Sequence, residues 1–227
     1  MTDAMPQAVE SNVPQVTPRE RLMDAARRLF CKNGINATGI DAIVSEAGTA
    51  KTTLYKNFKS KDDLVDAVLK AESEAWRGWF IAAVERAKTP REKLDSIFPA
   101  LKSWFAEETY YGCVFINAVG EHSKDETRLR DITIRHKSFI LKHISGLAEA
   151  AGAKKPDFLA HQIGLLMDGA IVAAMVTRDP TVADAAGMAA NALLDEACGL
   201  PKIRRTRRAG LQGGAAALAK EDLSVVD

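Results

Sequence analysis

Apolar residues recur at three- and four-residue spacing along most of the chain, the period of helices that bury one face. Leu22, Ala25, Ala26, Leu29 and Phe30 form the first stripe, opened by Thr17-Pro18-Arg19-Glu20 and stopped by Asn33-Gly34. A threonine three residues before a glutamate, with proline at the first helical position, is a capping box. A short apolar helix follows Thr38-Gly39 over Ile40 to Ala47 and ends at Gly48; a third covers about 50–58. Ser60-Lys61-Asp62-Asp63 opens a fourth, with serine as cap and aspartates at the helix's positive end, running to about residue 87. Pro90 starts a fifth to about 107, and Gly112 interrupts. Further helical patterns occupy about 113–122, 125–151, 157–177 and 181–198, punctuated by Gly152, Pro156, Pro180 and Gly199-Leu200-Pro201. Sustained period-two alternation is absent. The pattern predicts an all-α fold of about nine helices without an internal repeat.

Two short helices joined by "AGT", with a longer helix in front, predict a three-helix helix-turn-helix unit over 17–60. Ala47 lets the helices cross closely, and Gly48 takes the left-handed backbone of the turn. Ile40, Ile43, Val44, Leu54 and Phe58 are expected to lock onto Leu22, Ala26, Leu29 and Phe30. Thr49, Lys51, Thr52, Thr53, Tyr55 and Lys56 are then left for the outer surface, where hydroxyls and ammonium groups suit phosphates and base edges. The alternative is an ordinary helical surface with incidental lysines. Around this unit, residues 1–16 read as a disordered arm, 61–200 as a helical body, and 201–227 as a basic and then Ala/Gly-rich tail.

Charge supports the first reading. The whole chain of 227 residues carries only +1, but residues 18–62 hold nine bases against five acids, leaving the remainder acidic. One basic end on a near-neutral chain points to a surface that meets a polyanion. The N-terminus has neither the basic start nor the apolar core of a secretory signal, and no run approaches the roughly 18 apolar residues of a membrane span. The expected location is the cytoplasm, with no membrane partner. The three cysteines (Cys31, Cys113 and Cys198) are far apart without a CxxC spacing, so neither a disulfide framework nor a zinc site is expected.

The ordered set Thr38-Gly39-Ile40, Ala47-Gly48, Thr53-Leu54-Tyr55, Phe58, Ser60-Lys61-Asp62 and Leu64 resembles the N-terminal signature of the tetracycline-repressor (TetR) family, over about 18–69. The resemblance implies a homodimeric helical regulator whose head binds double-stranded operator DNA and whose body binds a small effector. It places Thr49, Lys51, Thr52, Thr53, Tyr55 and Lys56 on the recognition helix, with Thr38 and Lys61 holding phosphates. The family pattern has serine where this chain has Ala50, which leaves Thr49 to supply a capping hydroxyl, and glycine where it has Thr52.

For the effector, the aromatic residues and methionines of the body offer either core or pocket lining, among them Trp79, Phe105, Tyr110, Met167 and Met175. Polar residues inside apolar runs are more telling, because burying them unpartnered is costly. Such are Asn117 in "CVFINAV", Asp168 in "IGLLMDGAIVAAM", and His136 and His143, seven apart on one face. The ligand-contacting candidates are Trp76, Phe80, Trp104, Phe115, Asn117, Phe139, His143 and Asp168. They suit a hydrophobic, planar molecule with one or two polar groups. His136, His143, His161, Glu121 and Asp168 lack a diagnostic ligand spacing, so no metal or cofactor is expected. Cys113 is expected to be buried rather than redox-active.

Gly164, Gly169, Ala170, Ala173 and Ala174 on one late helix, and Ala185, Ala186, Gly187, Ala189, Ala190 and Ala192 on the next, permit close crossings. These helices, about 157–177 and 181–198, either pack tightly within one subunit or form a four-helix homodimer interface, which the resemblance favours. Arg204, Arg205, Arg207 and Arg208 either touch DNA or keep a tail solvated, and the solvated tail is the favoured reading. Rival readings are a helical small-molecule-binding protein or enzyme that has lost DNA binding, and an activator in place of a repressor. No nucleophile–base pair or Gly-rich phosphate loop supports catalysis.

Overall fold

The computed structural model describes residues 16–123 and 125–198; the N-terminal arm up to residue 15 and the tail from 199 lie outside the described residues. The described residues form ten helices and no strand: α1 (Pro18–Asn33), α2 (Ile40–Glu46), α3 (Lys51–Asn57), α4 (Lys61–Val84), α5 (Pro90–Asp95), α6 (Ile97–Phe105), α7 (Val114–Gly120), α8 (Thr127–Ala150), α9 (Pro156–Thr177) and α10 (Val182–Ala197). The stretch expected as one helix from Pro90 is divided at Ser96 into α5 and α6. Pro99 accounts for the division: it has no N–H, and its ring clashes with the carbonyl four residues back, at Asp95.

The capping signals act as the sequence predicts. Thr17 accepts from the Glu20 amide at 3.2 Å, while the Glu20 carboxylate accepts from the Thr17 amide at 2.7 Å. Ser60 caps α4 by accepting from the Asp63 amide at 3.1 Å. The head is a three-helix unit around Leu22, Ala26, Phe30, Ile43, Leu54 and Phe58, all buried. Ala47 is buried at the α2–α3 turn, and Gly48 takes φ 58° there. Leu64, Val65, Val68 and Leu69 on the first half of α4 extend this core, while Phe80 and Val84 belong to the body. At about 1.5 Å per residue, the 24 residues of α4 span roughly 36 Å and join the two units.

In the body, α9 runs against α8, α10 and α6. Gly164 explains the closeness to α8: a Cβ there would stand 2.6 Å from Leu141. Gly187 serves α10 in the same way, with Phe98 of α6 at 3.1 Å. Part of the small-residue pattern is therefore packing within the subunit. By length and composition α9 is apolar enough to cross a membrane, contrary to the sequence reading that no run qualifies. Leu159, Ile163, Met167, Ile171 and Ala174 are buried against its neighbours, and its outer face exposes Phe158, Leu165, Val172 and Val176.

Candidate nucleic-acid interface and an adjoining cavity

Helix α3 turns Leu54 into the head and leaves Lys51, Thr52, Tyr55 and Lys56 exposed, with Thr53 half-buried. Tyr55 is 50% exposed, an unusual amount for a large aromatic residue. The Lys51 ammonium lies 2.9 Å from the Asp41 carboxylate, which raises its pKa. Such exposed pairs hold little energy, so Lys51 is free to change partner. This is a cationic, hydroxyl-bearing ridge on one helix.

Three neighbouring assignments need correction. Thr38 is only 2% exposed, and its hydroxyl donates to the carbonyls of Gly34 at 2.6 Å and Leu29 at 3.3 Å. It closes the end of α1 with its hydroxyl turned inward rather than outward. The Thr49 hydroxyl is sealed without a partner, and α3 has no side-chain cap, so Thr49 neither caps nor presents its oxygen to DNA. The Lys61 ammonium donates to the Ile35 carbonyl at 2.7 Å, where it ties α4 to the α1–α2 loop.

That loop is also held from the body. Glu121, at the end of α7, accepts the Asn36 amide on its carboxylate at 2.9 Å and the Asn36 side-chain amide on its carbonyl at 2.6 Å. Gly34 makes room for it: φ is 87°, and a Cβ would lie 2.7 Å from the Glu121 carboxylate. Arg128 of α8 pairs with Asp66 and, at 3.4 Å, Asp62 on α4.

Between head and body lies a cavity of about 550 Å³. Leu29, Cys31 and Arg27 of α1 form one side. Trp76, Trp104, Tyr110, Phe115, Ile140, Met167 and Ile171 supply most of the rest. The Tyr110 hydroxyl is fixed by donating to the Ile171 carbonyl at 2.6 Å. Glu72, also on the wall, has its carboxyl raised above the usual range by burial, with Arg27 opposing. Burial pushes the Cys31 thiol up to about 11 and raises that of Cys113 as well, so both are protonated at neutral pH.

Of the ligand candidates, Trp76, Trp104, Phe115 and Asp168 line this cavity, Asp168 paired with Lys137. The other four do not. Phe80 is buried behind Trp76, stacked on it at 5.1 Å. Asn117 donates to the Tyr111 carbonyl at 3.2 Å. Phe139 faces outward, under the Arg77 guanidinium at 4.4 Å. His143 sits beside Phe80, 3.8 Å from Glu85. Cys31, Glu72 and Lys137 are lining residues the sequence reading missed; helix periodicity marks them as partly buried but not against what. The residues weighed as metal ligands are dispersed, and no group of three His, Cys, Asp or Glu converges among the described residues.

Comparison with known proteins places this architecture. Residues 22–68 match the model of "Bacterial regulatory proteins, tetR family". The regulator QacR of Staphylococcus aureus is 35% identical over 75 residues, covering 33% of this chain and 40% of QacR. The repressor KstR2 of Mycolicibacterium smegmatis is 33% identical over 82 residues, covering 36% of this chain and 40% of KstR2. The match thus spans two fifths of the length of these curated relatives. Solved structures agree over much more. A TetR-family regulator from Streptomyces coelicolor superposes with TM-score 0.75 at 26% identity, covering 80% of this chain and 96% of that one. A putative TetR-type regulator from Streptomyces avermitilis gives 0.70 at 30% identity, covering 80% and 98%. A helix-turn-helix head with an outward cationic ridge, matched to the family model, joined to a helical body that superposes on these regulators, makes this chain a member of the TetR family of DNA-binding transcriptional regulators.

Proposed function

We propose that the protein is a homodimeric repressor that leaves its operator when a small hydrophobic molecule fills the cavity. The observation that carries this reading is the shared wall: Leu29 and Cys31 belong to the DNA-binding head, while Trp104, Tyr110 and Phe115 belong to the body. An occupant touches both units at once. A state of the molecule with a different spacing between head and body then differs in ligand affinity, which is the condition for a population shift. A coupling of about 1–3 kcal/mol changes operator affinity roughly 5- to 150-fold.

The head comprises 17–60 and the body 61–200. Lys51, Thr52, Thr53, Tyr55 and Lys56 meet the major groove and its phosphates. The exposed apolar faces of α9 and α10, Phe158, Leu165, Val172, Val176 and Met188, are covered by a second copy; Leu165 and Met188 are 73% and 75% exposed. Two heads then read half-sites about 34–36 Å apart. The protein works in the cytoplasm, where its DNA lies.

Retardation of double-stranded DNA taken from upstream of its own coding sequence tests the reading. Wild type is expected to bind with a salt slope that drops by about one when Lys51 becomes alanine. Tyr55→Ala weakens binding at all salt concentrations. Equally poor retardation by wild type and both variants at low salt would defeat the proposal.

A further inference from the structure

Six of the charged residues on the cavity wall are already matched in pairs; Lys32 and Glu107, both exposed, also line it. Arg27 lies 3.6 Å from Glu72, Arg28 lies 3.1 Å from Glu46, and Lys137 holds Asp168. A charged ligand that turns to any of these six must separate a pair and leave its partner uncompensated.

The deep wall offers something else. His136 is 5% exposed, with the Phe115 ring stacked on its face at 4.0 Å and the Trp76 edge at 5.6 Å. Its Nδ1 lies 2.9 Å from the Ser73 hydroxyl oxygen. Ser73 is itself buried, and its hydroxyl has no other acceptor among the described residues, so the O–H donates to Nδ1. Burial, helped by Lys137 and Arg77, holds the imidazole's pKa down to about 3, so the ring carries one proton. With Nδ1 accepting, that proton is on Nε2. Nε2 meets no acceptor among the described residues, yet unlike the sealed Nε2 of His143 it keeps access to the cavity that the ring lines. The wall therefore holds a buried, oriented hydrogen-bond donor among aromatic surfaces that is not sealed, whereas the unpartnered Nε1–H of Trp76 beside it is. A buried donor of this kind selects an acceptor oxygen on whatever fills the space.

We propose that the cavity recognises uncharged planar aromatic molecules bearing a carbonyl group, the carbonyl oxygen accepting the Nε2–H of His136 while the ring system lies against Trp76, Trp104 and Phe115. The inference rests on the effector reading above and names the chemistry of its ligand. Sequence reasoning placed only His143 among the ligand candidates; the cavity wall and the Ser73 contact from α4 single out His136 instead.

The test uses the full chain and three compounds of one skeleton: fluorene, fluorenone and fluorene carboxylate. Their dissociation constants are read from quenching of tryptophan fluorescence and checked by calorimetry. In wild type the ketone is expected to bind roughly three- to tenfold more tightly than the hydrocarbon, the worth of one neutral hydrogen bond. The carboxylate is expected to bind most weakly. His136→Phe keeps the stack and removes the donor, so the ketone's advantage disappears; His136→Gln, which restores an N–H, recovers part of it. Fluorene binding as tightly as fluorenone, a ketone advantage that survives His136→Phe, the carboxylate binding best, or no binding by any of the three each overturns the inference. The wild-type ratio needs no variant, so the test stands even where a variant fails to fold. Operator retardation with the same compounds separates the two claims. A carboxylate that releases DNA while the ketone does not defeats the ketone assignment alone. A ketone bound through His136 that leaves retardation unchanged defeats the effector reading alone.

Discussion

In the head, polar side chains find partners nearby in sequence. Glu20 and Thr17 cap each other at three residues' separation, Asp63 and Ser60 likewise at three, and Thr38 reaches Gly34 at four. In the body several reach across the fold: His136 with Ser73 at 63 residues' separation, the Tyr110 hydroxyl with Ile171 at 61, and the half-buried Lys137 with Asp168 at 31, although Thr133 bonds locally to Leu129. Helix caps and turns are local chemistry and repeat wherever their residues do. A cavity is built by elements that meet only after the chain has folded. The caps and turns of the head are thus settled locally, while Lys61, Asn36 and most of the linked polar groups of the body depend on tertiary packing.

The strongest way to break this comparison is to damage the head's own core. Leu54 is fully buried in α3, so Leu54→Ala is expected to cost about 2–5 kcal/mol and abolish operator binding. Amide exchange should then quicken in α1 to α3 while α8 to α10 keep their protection. Equal loss of protection in both units would show that the head does not stand apart.

Acid probes the body. The folded pKa of His136, about 3, lies below the ordinary 6.5, so below pH 6.5 the unfolded chain takes up a proton the folded chain refuses. Stability is therefore full above pH 6.5 and is lost toward pH 3, at about 1.4 kcal/mol per pH unit from this group. Urea midpoints at neutral pH and near pH 5 should show it, and His136→Phe should flatten the difference. A variant as acid-sensitive as wild type would mean that His136 is not held neutral.

A smaller effect sharpens the boundary. Glu121→Ala removes the carboxylate that accepts the Asn36 amide, at an expected cost of about 1 kcal/mol. Because it cuts a tie between head and body, two unfolding steps should become resolvable by calorimetry where wild type shows one. An unchanged single transition would show that Arg128 and α4 hold the units together without it.

The smallest contrast lies within the helix-turn-helix. Thr38→Val deletes a buried hydroxyl with two acceptors and should lower stability by about 1 kcal/mol. Thr49→Val deletes a sealed hydroxyl with none, and stability should hold or rise slightly. Thermal midpoints of the two variants decide it; a reversed order would mean that the burial of these two residues has been misread.

How far each region could be read from its residues follows from the same contrast. The α1 capping box, the Ser60 cap, the Ala47-Gly48 turn and the outward Lys51, Thr52, Tyr55 and Lys56 were all legible, because each depends on residues within a turn or two. Thr38 and Thr49 were misread within that same motif: spacing marks a threonine near a helix start but does not say whether its hydroxyl turns inward. The ligand candidates divided evenly. Trp76 and Phe80 sit four apart on α4 and look equivalent in periodicity, yet Trp76 lines the cavity and Phe80 lies buried behind it.

By itself, then, the sequence determined the helical class, the order of the elements, the outward face of α3 and the family, since amphipathic period, capping and turn chemistry are properties of neighbouring residues. Tertiary structure alone decided that α1 of the head shares a cavity wall with the body, and that Glu121 reaches over Gly34. It also decided that Ser73, from α4, meets Nδ1 of His136 on the cavity wall. A helical pattern says which face of an element is buried, but only the meeting of distant elements says what that face is buried against.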